Sequence, residues 1–197
     1  MNNSNDILSA TEPVAKAFEK LGILYFIGGS LASSAYGIPR ATMDIDMISD
    51  LKSNQVKSFV EILSSKYAID ENMIMDAIKR RSSFNIIHMD TMLKIDIFIS
   101  KNGPYELETF KRRRQDTLNE EGESIQFYIV SPEDIILNKL MWFELGGGLS
   151  DRQWNDILGV LKVQKQLLDI SYLEQWASKL NIKQLLIKSF NDSGLYE

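Results

Sequence analysis

Residues 24–49, LYFIGGSLASSAYGIPRATMDIDMIS, hold the pattern from which the rest of the chain is read. Leu24 to Ile27 is a short apolar strand. Gly28, Gly29 and Ser30 turn the chain into a helical run of small residues, Leu31 to Tyr36, and a Gly-Ile-Pro-Arg turn leads to a second strand opening with Asp44-Ile45-Asp46. Side chains alternate along a strand, so Asp44 and Asp46 are expected on one side. Two carboxylates on a short apolar strand repel each other, and a hard cation removes that penalty. Glycines ahead of a helix N-terminus offer backbone N–H groups and room for phosphate oxygens. A phosphate-holding turn followed by a metal-holding pair is the skeleton of a phosphoryl-transfer site.

Composition limits the ligands. The 197 residues include no cysteine and one histidine, His88, so thiolate and histidine-rich metal sites are excluded. A divalent ion would be held by carboxylates and water, which favours magnesium or manganese. The net charge of −5 gives no global attraction to nucleic acid. No apolar run is long enough to span a bilayer and the N-terminus lacks the features of a signal peptide, so no membrane partner and a cytoplasmic location are expected.

Outward from the opening stretch, residues 1–8 read as a frayed lead-in and Ala10 to Leu21 as a helix. Val56 to Leu63 and Asn72 to Arg81 read as helices. Phe84–His88 and Leu93–Ile99 read as a hairpin through Met89-Asp90-Thr91-Met92. In the second of these strands Leu93, Ile95, Ile97 and Ile99 share one face, leaving Asp96 on the other with Lys94 and Phe98. An acid inside so apolar a strand is a poor choice for solvent exposure, whereas Asp90 falls in the turn. His88 reads as a strand residue rather than a base. Tyr105 to Gln115 is helical or irregular and ends in Lys111-Arg112-Arg113-Arg114, either a patch for RNA phosphate or a nucleotide tail, or a solvated basic face. Lys79-Arg80-Arg81 suits a helix C-terminus.

Ile125 to Val130 reads as the last strand. Ser131-Pro132 then opens a helix to about Leu145, closed by Gly146-Gly147-Gly148. Ser150 with Gln153 opens a second helix, whose buried side is Trp154, Ile157, Leu158 and Leu161. Ser171 with Glu174 opens a third, and residues 182–190 make a fourth. The expected organisation is a mixed α/β part, residues 1–130, followed by a helical part, residues 131–197.

Gly29-Ser30, the thirteen residues 31–43, and Asp44-Ile45-Asp46 together resemble the signature of the polymerase-beta-like nucleotidyltransferase superfamily. The resemblance implies an α/β fold, a mixed β-sheet flanked by helices and followed by a C-terminal helical subdomain. It implies metal-dependent transfer of a nucleoside monophosphate from a nucleoside triphosphate to a hydroxyl, releasing pyrophosphate. Two ions, Mg2+ or Mn2+, would be held by Asp44, Asp46 and a third acid from a neighbouring strand, the place of Asp96. Gly28, Gly29 and Ser30 would hold the β- and γ-phosphates, although Ser30 also suits a helix cap. Arg40 either reaches the triphosphate or acceptor, or is a solvated turn arginine.

Within the helical part, Lys139, Arg152 and Asp156 resemble the abortive-infection type IV toxin branch of that superfamily, which carries a lysine and an acid on successive helices near the nucleotide. Lys139 is otherwise a surface lysine, and Arg152 and Asp156, four apart, can simply pair with each other. The branch implies an RNA acceptor, a tRNA end contacted by Arg112, Arg113 and Arg114, and a cognate antitoxin as partner. The alternatives are transfer to a small molecule of aminoglycoside or lincosamide type or to a protein, and a silent nucleotide-binding or antitoxin-like protein.

Overall fold

The structure, a computed structural model, describes residues 3–42, 44–120 and 123–195. It is an α/β fold whose chain divides into two compact units, Met1–Gly28 with Thr42–Ile129, and Gly29–Ala41 with Val130–Glu197.

The first unit is built on a seven-stranded mixed sheet. In chain order the strands are β1 (Tyr25–Ile27), β2 (Ile45–Ser49), β3 (Tyr67–Ala68), β4 (Ser83–His88), β5 (Lys94–Ile99), β6 (Arg114–Glu120) and β7 (Glu123–Ile129). Across the sheet their order is β3-β4-β5-β2-β1-β7-β6. β2 runs parallel to β5 and antiparallel to β1, and β1 meets β7 in parallel. The alternation seen in the sequence sets the faces: Ile45 and Met47 of β2 and Ile95 and Ile97 of β5 are buried, while Asp46, Asp96 and Phe98 are half-buried on the other side.

Four helices belong to this unit: α1 (Asn3–Lys20), α3 (Val56–Leu63), α4 (Glu71–Arg80) and α5 (Pro104–Arg112). Phe18 of α1 stacks on Phe59 of α3 at 4.9 Å and on Tyr25 of β1 at 5.3 Å. The expected lead-in at residues 1–8 is instead helical from Asn3. Buried Leu8 and Ala10 anchor these turns, and the Tyr67 hydroxyl donates to the Ala10 carbonyl at 2.7 Å. Pro13 deprives the Ser9 carbonyl of its helical donor, but Ser9 is exposed and water can serve it.

Two strands were not expected. β3 has only two residues, too few for a period. β6 begins at Arg114 and continues Gln115-Asp116-Thr117, all exposed; it pairs with β7 through its backbone at the sheet edge and needs no apolar face.

The second unit is helical: α2 (Gly29–Tyr36), α6 (Pro132–Leu145), α7 (Asp151–Gln164), α8 (Ile170–Lys179) and α9 (Lys183–Ser193). Ser131 caps α6, accepting from the Asp134 N–H at 3.1 Å, as its sequence implied. The following acids are buried rather than solvated. Asp134 accepts the Ser131 and Tyr172 hydroxyls, both at 2.7 Å, and Glu133 accepts the Asp169 N–H at 3.0 Å. α8 is therefore capped by Asp169, whose carboxylate accepts from the Tyr172 N–H at 3.0 Å, and not by Ser171.

The buried side of α7 is Ile157, Gly159, Val160 and Leu161, with Trp154 and Leu158 only half-buried. The shift toward Gly159 follows from α2, whose end meets α7 backbone to backbone. A Cβ added to Gly37 would lie 2.8 Å from the Val160 nitrogen and 2.9 Å from the Gly159 carbonyl carbon. Neither atom belongs to a side chain that can turn away. Gly37→Ala is expected to destabilise the protein by about 2 kcal/mol, the usual scale for overpacking, read as a lowered urea midpoint.

Candidate functional site

In the first unit, β2 and β5 lie side by side with Asp46 directly opposite Asp96. On the other flank of β5, Asn85 of β4 is opposite Asp96, and beyond β2 the Gly28 N–H donates to the Asp46 carbonyl at 2.9 Å. Asn85, Asp96, Asp46 and Gly28 thus form one row across the sheet. Asp44 precedes β2 in an exposed position, its N–H 3.3 Å from the Thr42 hydroxyl.

Lys94 completes this group. It lies two residues before Asp96, on the same face of β5, and its Nζ is 2.7 Å from Asp96 Oδ2. The ammonium is held protonated above its ordinary range, first by the hydrogen bond to Asp96. Slight burial opposes this, and the charges of Asp96, Asp44 and Asp46 reinforce it. All three aspartates therefore lie within electrostatic reach of one cation. Their oxygen-only chemistry fits hard divalent ions. Among the described residues, no three His, Cys, Asp or Glu side chains are gathered into a metal cluster as they stand.

Gly28 has a packing role. Its N–H is taken up by Asp46, and a Cβ there would lie 3.0 Å from Ile48 Cδ1. The positive φ of the turn falls at Gly29, the first residue of α2.

The second unit gathers Ser30, Arg40, Lys139, Arg152 and Asp156. The Arg40 guanidinium grips Asp156 with both arms, Nε to Oδ1 and Nη2 to Oδ2, each at 2.9 Å. Lys139 donates to the same Oδ2 at 2.8 Å. Arg40 also donates to the Ser30 hydroxyl, and Arg152 approaches that hydroxyl at 3.5 Å. Burial raises the Asp156 pKa, but the hydrogen bonds from Arg40 and Lys139, with their charges, outweigh it and hold the carboxyl below its usual range. Arg40 is thus no solvated turn arginine, and Lys139 is 7% exposed, not a surface lysine. Asp156 pairs with Arg40 and Lys139 rather than with Arg152.

The basic runs are divided. Lys111 pairs with Glu108 at 3.3 Å, and Arg112 is half-buried at the end of α5. Arg113 donates to the Phe110 carbonyl and lies over the Tyr128 ring at 4.4 Å from its centroid. Arg114 starts β6 and is exposed. Arg80 pairs with Asp76 at 2.9 Å and Arg81 donates to the Ser100 carbonyl at 2.6 Å. His88 is buried beside Tyr67, with Nδ1 2.9 Å from the Thr91 hydroxyl, and Asp90 is exposed in the hairpin turn.

Sequence reasoning assigned no role to Asn85 or Lys94. Lys94 was detectable, being two residues from Asp96 on a polar strand face. Asn85 was not, because only strand pairing places it beside Asp96.

Two solved structures share the fold across nearly their whole length. One is an antigenic nucleotidyltransferase-like protein from Paracoccidioides brasiliensis, 15% identical, with 95% of this chain and 93% of that one covered and a TM-score of 0.53. The other is the antibiotic-resistance factor ANT(2'')-Ia, 14% identical, with 98% and 99% covered and a TM-score of 0.53. At such identities the likeness is one of fold alone. No curated protein matches the chain. Among the described residues no helix is long and apolar enough to cross a membrane. Residues 9–184 match the model of one family, so the chain belongs to the family described as Nucleotidyltransferase of unknown function (DUF6036).

Proposed function

We propose that this protein transfers a nucleoside monophosphate from a nucleoside triphosphate to the hydroxyl of a small molecule, releasing pyrophosphate. The observation that carries the transfer chemistry is the register of Asp46 against Asp96 on adjacent strands, with Asp44 and Lys94 in electrostatic reach. Asp44, Asp46 and Asp96 are the residues that would hold Mg2+ or Mn2+. Bound there, two such ions supply Lewis-acid stabilisation of phosphoryl charge and acidify a hydroxyl. Asp96 accepts the proton of the acceptor hydroxyl.

Ser30, Arg40, Lys139 and Arg152 are assigned to the triphosphate. Arg40 and Lys139 are held against one carboxylate, Asp156, Arg152 approaches the Ser30 hydroxyl, and Ser30 stands in the first turn of α2, where backbone N–H groups favour anions. Lys139, nearly enclosed and fixed on Asp156, positions that carboxylate, whereas Arg152 is exposed.

A small, cationic acceptor is supported by the charge of −5 and by the engagement of Arg80, Arg81, Lys111 and Arg113 within the protein. A tRNA end, with Arg112 and Arg114 as contacts, is the competing outcome, and a cognate antitoxin goes with it. The test incubates the protein with each α-labelled nucleoside triphosphate and Mg2+ or Mn2+, adding total RNA or an extract stripped of RNA. Label in small molecules is expected. Label in a tRNA-sized band would replace the acceptor, and no label in either arm would overturn the transfer reading.

A further inference from the structure

Asp46 and Asp96 stand directly opposite each other on neighbouring strands, which run about 4.8 Å apart. Like charges so placed are destabilising. The positive charge of Lys94, 2.7 Å from Asp96 Oδ2, lies where it offsets them. Its side chain is 47% exposed on a flexible four-carbon stem, so the ammonium can leave Asp96 without disturbing β5. A divalent ion on that carboxylate oxygen and the lysine ammonium repel each other and compete for its lone pairs.

We propose that Lys94 is an internal counterion that competes with divalent metal for Asp96 and so couples metal binding to the arrival of the nucleotide. This rests on the carboxylate reading above. Metal alone must displace the lysine against its pairing energy. A triphosphate gives the displaced ammonium a new anionic partner, so metal and nucleotide bind better together than either does alone. Lys94→Met removes the competitor while keeping the stem, and Lys94→Arg keeps a cation.

The experiment titrates wild type, Lys94→Met, Lys94→Arg and Asp46→Asn with Mn2+, following the free ion by its electron paramagnetic resonance signal. Each titration is made with and without a non-transferable α,β-methylene triphosphate. The Lys94→Met protein is expected to bind Mn2+ alone about fivefold tighter than wild type, the scale of a partly exposed ion pair. Lys94→Arg should stay near wild type. The analogue should tighten Mn2+ binding in wild type more than in Lys94→Met. Equal or weaker Mn2+ binding by Lys94→Met overturns the proposal. If Asp46→Asn has lost Mn2+ binding in that case, the carboxylate reading stands and only the role of Lys94 falls. If Asp46→Asn binds Mn2+ like wild type, both fall.

Discussion

Asp156→Asn is expected to lower stability at pH 7 by about 3 kcal/mol, measured by urea unfolding. The carboxylate carries the paired arms of Arg40 and the ammonium of Lys139, and its side chain is 8% exposed. Asparagine matches its shape but leaves two cations without the charge they share. The pH dependence has a defined sign. Asp156 is held below its ordinary pKa, so its contribution is complete above the unfolded value, about 3.9, and disappears as pH falls through the folded value. The difference between wild type and variant should therefore be full at neutral pH and close below about pH 4. Lys139→Met should cost less, because Arg40 still holds both carboxylate oxygens. A variant as stable as wild type at pH 7 would show that the network contributes nothing to the fold.

Asp46→Asn and Asp96→Asn should each reduce nucleotidyl transfer by more than about 100-fold, beyond the usual loss when an outer partner of a metal site is removed. Asp44→Asn should behave alike, and Asp90→Asn, in its exposed turn, should transfer label as wild type does. The measurement is transfer from α-labelled triphosphate, with a thermal melt to confirm that each variant is folded. Folding should survive, since Asp46 and Asp96 lie on the half-buried side of β2 and β5 while the fully buried residues are on the other. Undiminished transfer by Asp46→Asn would remove these carboxylates from the chemistry.

The reading from sequence was most accurate where structure is local. The alternation in Lys94–Ile99 placed Asp96 opposite the buried isoleucines, because side-chain direction in a strand depends only on parity. Ser131-Pro132 placed the start of α6, because a cap is made by residues three apart. The start of α1, the cap of α8 and strand β6 were missed for one reason. Buried Leu8, the Asp169–Glu133 contact and the pairing of a polar edge strand all depend on distant partners.

The site divides in the same way. The chain itself showed the glycine turn, the Asp44-Ile45-Asp46 pair, and Asp96 within a strand with Asp90 in a turn, since each follows from neighbours in sequence. Only the tertiary structure decided that Asp46 faces Asp96 and Asn85 faces Asp96, because strand register is set by packing between segments. It also decided that Asp156 serves Arg40 and Lys139 instead of Arg152. Helical spacing allows the Arg152 pair, but a bidentate guanidinium and a buried ammonium, contributed from residues 116 and 17 positions away, hold that carboxylate more strongly than an exposed neighbour can.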